Sequence, residues 1–238
     1  ISAGAPNENT ETLTFNVSNN NNSLFSVQPT INSSGQLQYT PAANASGTAT
    51  VTVTLSDNGT PPATSASQQF TITVTSVNDT PTFVVGANQT VNEDAGAQTV
   101  PTFATSISAG APNENTETLT FNVSNNNNTL FSAQPTISST GQLQYTPAAN
   151  AFGTATVTVT LTDNGTPSAT SASQQFTITV NAVNDAPSFT VGANQAVAYN
   201  SLAQTVSGFI TGISSGPSNE SGQTVSFNVS NNNAALFS

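Results

Sequence analysis

Eleven carboxylates carry all the side-chain charge in this 238-residue sequence, giving a net charge of −11. Acid–base or ligand chemistry at neutral pH therefore falls to Glu8, Glu11, Asp57, Asp79, Glu93, Asp94, Glu114, Glu117, Asp163, Asp185 and Glu220. Lys, Arg, His, Cys, Met and Trp are absent. Without imidazole or thiol the chain has no nucleophilic triad and no His or Cys ligand for zinc, copper, haem iron or an iron–sulfur cluster. Without Lys or Arg it has no grip on phosphate, which argues against a nucleic-acid partner, and it forms neither side-chain salt bridges nor a Lys–Asn crosslink. Two carboxylates facing one cleft about 5–10 Å apart could hydrolyse a glycoside. These acids instead sit at loop positions with no aromatic subsite, so the expectation is a protein that is not an enzyme. Carboxylates gathered without a basic partner repel one another unless protonated or bridged by an outside cation. Calcium suits them, since it accepts about six to eight oxygens from carboxylates, amides and backbone carbonyls. Magnesium and manganese suit them less well.

The elements that must position these acids are repeated. Ile1-Ser-Ala-Gly-Ala-Pro-Asn-Glu-Asn-Thr10 returns unchanged at Ile107 and in looser form at Ile213, a period of 107 − 1 = 213 − 107 = 106 residues. Residues 1–80 and 107–186 differ at ten positions, among them Ser46/Phe152, Pro62/Ser168 and Thr80/Ala186. Val77-Asn-Asp-Thr-Pro-Thr-Phe83 and Val183-Asn-Asp-Ala-Pro-Ser-Phe189 mark boundaries, because Pro closes one strand before an apolar run opens the next. The organisation read from this is the C-terminal part of a repeat over 1–80, a complete repeat over 81–186 and the N-terminal part of a repeat over 187–238. The sequence opens at Ile1 in mid-pattern, without a signal peptide or an apolar run near the roughly 20 residues of a membrane helix. The simplest expectation is a window from a longer tandem array, with no membrane insertion in this segment.

Within the complete repeat the hydrophobic period is 2. Ala155, Val157, Val159 and Leu161 alternate with Thr along 153–162, and Phe176, Ile178 and Val180 alternate likewise, the pattern of half-buried strands. Strands are predicted over 83–91, 97–107, 117–124, 130–138, 141–146, 153–162 and 172–182. About seven short strands in roughly 100 residues predict an all-β chain of tandem immunoglobulin-like Greek-key sandwiches. Outer faces of Thr, Ser, Asn and Gln favour strands without charge, and long edges without Lys invite lateral self-association. An up-and-down tracing of seven strands places Glu93, Asp94 and Asp185 at one pole of the repeat and Glu114, Glu117 and Asp163 at the other. End-to-end stacking then joins Asp79 with Glu114, Glu117 and Asp163 at the first junction, and Glu93, Asp94 and Asp185 with Glu220 at the second. Asn113, Asn115, Asn184 and Asn219 stand beside them as neutral oxygen donors.

Asp163-Asn-Gly-Thr-Pro, an alternating strand and then Val183-Asn-Asp-Ala-Pro-Ser-Phe189 resemble the end of a cadherin repeat, and the Thr- and Asn-rich tandem copies resemble the cadherin-like repeats of large bacterial surface proteins and adhesins. The resemblance implies calcium at the junctions, stiffening the array. It maps the linker ligands to Asp79 and Asp185 with Asn78 and Asn184, the first-loop glutamate to Glu93 and the aspartate before the last strand to Asp57 and Asp163. It maps the acidic loop to Glu8, Glu11, Glu114, Glu117 and Glu220. The sequence departs from the family's pattern in two places. The Asp-Arg-Glu segment has no counterpart around Ala148 to Phe152, and Asn-Glu-Asn replaces a paired-aspartate motif, which implies fewer or weaker ions per junction.

Plainer roles stand beside these. Asp57-Asn-Gly59 and Asp163-Asn-Gly165 are also ordinary turn formers, Asn-Asp before Pro also closes a strand, and the third copy carries Gln223 where the others have Glu11 and Glu117. The function expected is a structural repeat segment of a long extracellular or cell-surface fibre or adhesin stalk, self-associating into a filament or multi-domain array. The alternative is a glycan- or protein-binding adhesion module.

Overall fold

A computed structural model describes residues 1, 2, 4, 8 and 10–236, without the side chain of Ala235. The described residues form strands and short 3-10 turns, and no helix among them is long and apolar enough to cross a membrane. By contacts the chain divides into two compact units. One comprises 1–82, 108–119 and 162–171, and the other 83–107, 120–161 and 172–238.

In the first unit, β1 (Thr14–Asn19), β2 (Phe25–Ile31), β3 (Leu37–Pro41), β4 (Gly47–Ser56) and β5 (Gln68–Val74) form two antiparallel sheets, β1-β4-β5 and β2-β3. Alternation decides what they bury: Leu24, Phe25, Ala49, Val51 and Ile72 make the core, with Val17, Val53 and Phe70 packed against it.

The remaining strands are β6 (Thr82–Val84), β7 (Gln89–Asn92), β8 (Gln98–Val100), β9 (Thr105–Ser108), β10 (Thr120–Asn125), β11 (Phe131–Ile137), β12 (Leu143–Pro147), β13 (Gly153–Thr162), β14 (Gln174–Asn181), β15 (Ser188–Val191) and β16 (Ile210–Ser214). The main sheets have the orders β10-β13-β14-β7 and β11-β12-β8, while β6 pairs with β9 and β15 with β16. On β13, Ala155, Val157, Val159 and Leu161 are completely buried, and the Thr residues between them face out. Phe103 packs on Phe176 with ring centroids 4.5 Å apart, and Phe83 meets Phe121 edge-on at 5.3 Å.

Two of the seven expected strands are each two strands. The stretch 83–91 divides into β6 and β7, because the chain changes sheets there, and β7 runs parallel to β14, with Ile178 opposite Gln89 and Val180 opposite Val91. The Gln174 side chain satisfies the broken segment, accepting from Val85 N at 3.1 Å and donating to the Phe83 carbonyl. The stretch 97–107 divides into β8 and β9 at Pro101, which has no N–H to donate, and at Thr102, whose φ is +51°. The parallel β7–β14 pair is what alternating strand directions give for the first and last of seven strands, while β10 lies beside β13, out of sequence order, in the Greek-key manner.

Candidate metal centre

Each junction cluster lies wholly inside one compact unit. In the first unit, Asp163 follows β13 and folds its own turn: Oδ1 accepts from Gly165 N at 3.1 Å and Ala169 N at 2.8 Å. The turn conformation is thus written locally, as for Asx turns generally. Asn78, four residues past β5, donates its amide to the same Oδ1 at 3.0 Å and to the Pro167 carbonyl at 2.9 Å. Its carbonyl lies against backbone, since a Cβ on Gly165 would stand 1.9 Å from Asn78 Oδ1. Glu114 closes a 3-10 turn over Pro112–Glu114, accepting from Ala111 N at 3.1 Å and reaching Asp79 N at 2.9 Å. Gly110, at φ +138°, admits that approach, because a Cβ there would fall 2.7 Å from both Asp79 Cβ and Glu114 Oε2.

These bonds use only part of the acceptor capacity. Asn78 Oδ1, Glu117 Oε2 and Asp163 Oδ2 are shielded from solvent and have no hydrogen-bond partner. Asn78, Glu114 and Glu117 line a cleft of about 460 Å³ together with Gly165. Burial, and then repulsion from Asp163 and Glu114, hold the Glu117 carboxyl above its ordinary value. Burial alone would also raise Asp163, but the N–H donors of Ala169, Asn78 and Gly165 outweigh it and hold that carboxyl below the usual range.

The second cluster repeats the plan 106 residues on and adds the first-loop acids. Asp185 N donates to Glu220 Oε1 at 2.7 Å, and Val183 N to Glu93 Oε1 at 2.8 Å, while the Asn219 amide approaches that oxygen at 3.4 Å. Asp94, at φ +61°, accepts from Asn150 N at 3.2 Å. Asp185 Oδ2, Asn219 Oδ1 and Glu220 Oε2 are buried without partners. Burial, followed by repulsion from Glu220, Asp94 and Glu93, raises the Asp185 carboxyl. Asn184 is spent differently, because its Oδ1 accepts from Gln223 Nε2 at 3.0 Å.

The structure thus gathers Asn78, Asp79, Glu114 and Asp163 in one place and Glu93, Asp94, Asn184, Asp185 and Glu220 in another. Asp57 stands apart from both, in the same kind of turn as Asp163, with Oδ1 accepting from Gly59 N at 3.0 Å and Ala63 N at 2.9 Å. Its acidic neighbour is Glu11, which burial and then Asp57 and Glu8 push upward. Among the described residues, no group of three or more acids is by itself arranged to hold a metal. The donors are all hard oxygens, the unpartnered set being four carboxylate and two amide oxygens, so a cation here would draw on amide as well as carboxylate oxygens. The Gln223–Asn184 bond was not legible in the sequence; the replacement of Glu117 by Gln223 was its only signal.

Residues 3–75 match a family model described as a bacterial Ig domain. No curated protein matches the chain. Among solved structures, the extracellular cadherin domains 3-6 of protocadherin gamma B2 align at 16% identity and TM-score 0.44, covering 76% of this chain, which spans 45% of that one. Human CDH23 EC21-23 aligns at 17% identity and TM-score 0.46, over 88% of this chain and 76% of that one. Domains 4 and 5 of the S-layer protein SbsC align at 17% identity and TM-score 0.30, over 71% and 70%. The stretch that matches the family model is copied 106 residues later, at 109–181, and both copies fold as paired β-sheets. Residues 3–75 are thus similar to a bacterial Ig domain, and the copy 106 residues later repeats both their sequence and their strand pattern.

Proposed function

We propose that the chain is an extracellular, cell-surface repeat module of the adhesion type, with repeats bounded near 80/81 and 186/187, and that calcium held at the junctions keeps neighbouring repeats in line. The bacterial Ig domain match supports the repeat-module part of this reading. One observation carries the calcium part: each junction buries three oxygens without partners, in a chain that has no cationic side chain to offer them. Unpaired buried acceptors are costly, and a divalent ion would satisfy several at once. The ligands at the first junction would be Asn78, Asp79, Glu114 and Asp163. At the second they would be Glu93, Asp94, Asp185 and Glu220, with Asn184 beside them, and Asp57 would serve the equivalent position of the first repeat. Without the ion the acidic poles repel and the junctions loosen. The module has no catalytic role in this reading, since nucleophile–base pairs and cationic groups are absent from its sequence.

Thermal unfolding of the whole chain in EDTA and in millimolar calcium tests the proposal. A ligand at about 1,000 times its Kd stabilises the folded state by about 4 kcal/mol, so a clear rise in Tm is expected, reduced by Asp185→Asn. An unchanged Tm would remove the junction ions. A module that instead binds a glycan or protein partner through a sandwich face, or packs side by side with its own copies into a filament, remains the same fold put to a different use. A glycan array and electron microscopy in calcium distinguish these uses.

A further inference from the structure

The two linker asparagines occupy the same position of the repeat, 184 − 78 = 106, yet the structure treats them differently. Asn78 turns its amide nitrogen to Asp163 Oδ1 and the Pro167 carbonyl, leaving Oδ1 buried and without a partner. Beside it Glu117 Oε2 is also buried and unpartnered, as is Oδ2 of Asp163, a residue only 4% exposed. At the second junction position 117 + 106 = 223 is Gln, and its Nε2 donates to Asn184 Oδ1 at 3.0 Å. A carboxylate can only accept, so a Glu at this position adds a lone pair facing the linker amide oxygen. A Gln brings an N–H, which satisfies the same oxygen from within the chain.

Resting on the calcium reading above, we infer that the residue at position 117/223 decides whether this corner of a junction binds a cation: Glu117 opens a divalent-cation position shared with Asn78 and Asp163, and Gln223 fills the corresponding position with its own amide. The two junctions then take their ions at different places. At the first, Glu117 adds its oxygen to those of Asn78 and Asp163, whereas at the second Asp185 Oδ2, Asn219 Oδ1 and Glu220 Oε2 stay unpartnered despite Gln223. The linker corner of the second junction is held by a hydrogen bond that needs no metal.

The test is the number of calcium ions bound per chain, measured by equilibrium dialysis on the full 238-residue protein and on Glu117→Gln, with Glu220→Gln as the control at the other position. Two ions are expected for the parent and one for each variant. Glu117→Gln should also melt in EDTA no lower than the parent, because it exchanges a repelled carboxylate for the amide seen at Gln223, whereas a merely structural loss would lower that melt. Retention of both ions by Glu117→Gln would overturn the inference, and so would loss of both. A parent chain that binds no calcium would overturn the calcium reading itself.

Discussion

Strands β3 and β12 share the sequence Leu-Gln-Tyr-Thr-Pro, yet they sit in different surroundings. Leu37 and Tyr39 on β3 are 36% and 42% exposed, whereas Leu143 and Tyr145 on β12 are 0% and 3% exposed. The difference is β8, which lies along β12 with Val100 opposite Leu143 and Gln98 opposite Tyr145. Among the described residues β3 pairs only with β2. The same holds on the other sheet, where Phe176 is buried under Phe103 and its counterpart Phe70 is only half-buried. A strand's pattern decides which face is apolar, but burial of that face needs a second segment, which residues 98–103 supply for β12 and Phe176.

The severest way to break this contrast is Phe103→Ala. Deleting a buried aromatic costs about 3–5 kcal/mol. The variant should loosen the segment over β12, so that hydrogen exchange at Leu143 and Tyr145 approaches that at Leu37 and Tyr39. Next, Leu143→Ala should cost about 2–5 kcal/mol, while Leu37→Ala, already partly solvated, should cost less than about 1 kcal/mol; urea unfolding compares them, and equal losses would contradict the contrast. A smaller effect sharpens it from the other side. Asn20 Oδ1 accepts from Thr50 N and Asn126 Oδ1 from Thr156 N, both at 2.8 Å, in loops that β8 does not touch. Asn20→Ala and Asn126→Ala should therefore cost the same, about 1 kcal/mol each.

The smallest effect expected is that of pH. Glu11, Glu117 and Asp185 are raised on folding, so the folded state binds their protons more tightly than the unfolded state does. Their repulsion is fully present above the raised values and disappears below the ordinary ones, so in EDTA the Tm should rise as pH falls from neutral towards the ordinary Glu value of 4.5. Asp163 is lowered, so its contribution persists through that window and is lost only below its ordinary value of 3.8. Saturating calcium should reverse the first trend, because acid then displaces the ion. Scanning calorimetry across pH with and without calcium reads both signs.

Much of the fold was legible because burial on one face enforces strict alternation, as along Ala155, Val157, Val159 and Leu161. The breaks at Gly86 and Pro101 were less legible. Apolar runs on either side of them look continuous in sequence, and a change of sheet separates β6 from β7 and, together with Pro101 and Thr102, β8 from β9. The acidic groupings were legible from period and pole. How their oxygens are spent was not, since Asp79 N reaches Glu114 and Asp185 N reaches Glu220 across 35 positions of sequence.

By itself the amino-acid sequence determined the strand faces, the 106-residue period and a ligand chemistry restricted to oxygen, because these follow from residue type and local spacing. Only the tertiary structure decided which lone pairs meet an N–H and which are left over. A carboxylate or amide has few acceptor directions, and the donors that fill them come from distant segments brought in by packing. Thus Asn78 and Asn184, alike in sequence position, end with one oxygen bare and the other bonded to Gln223.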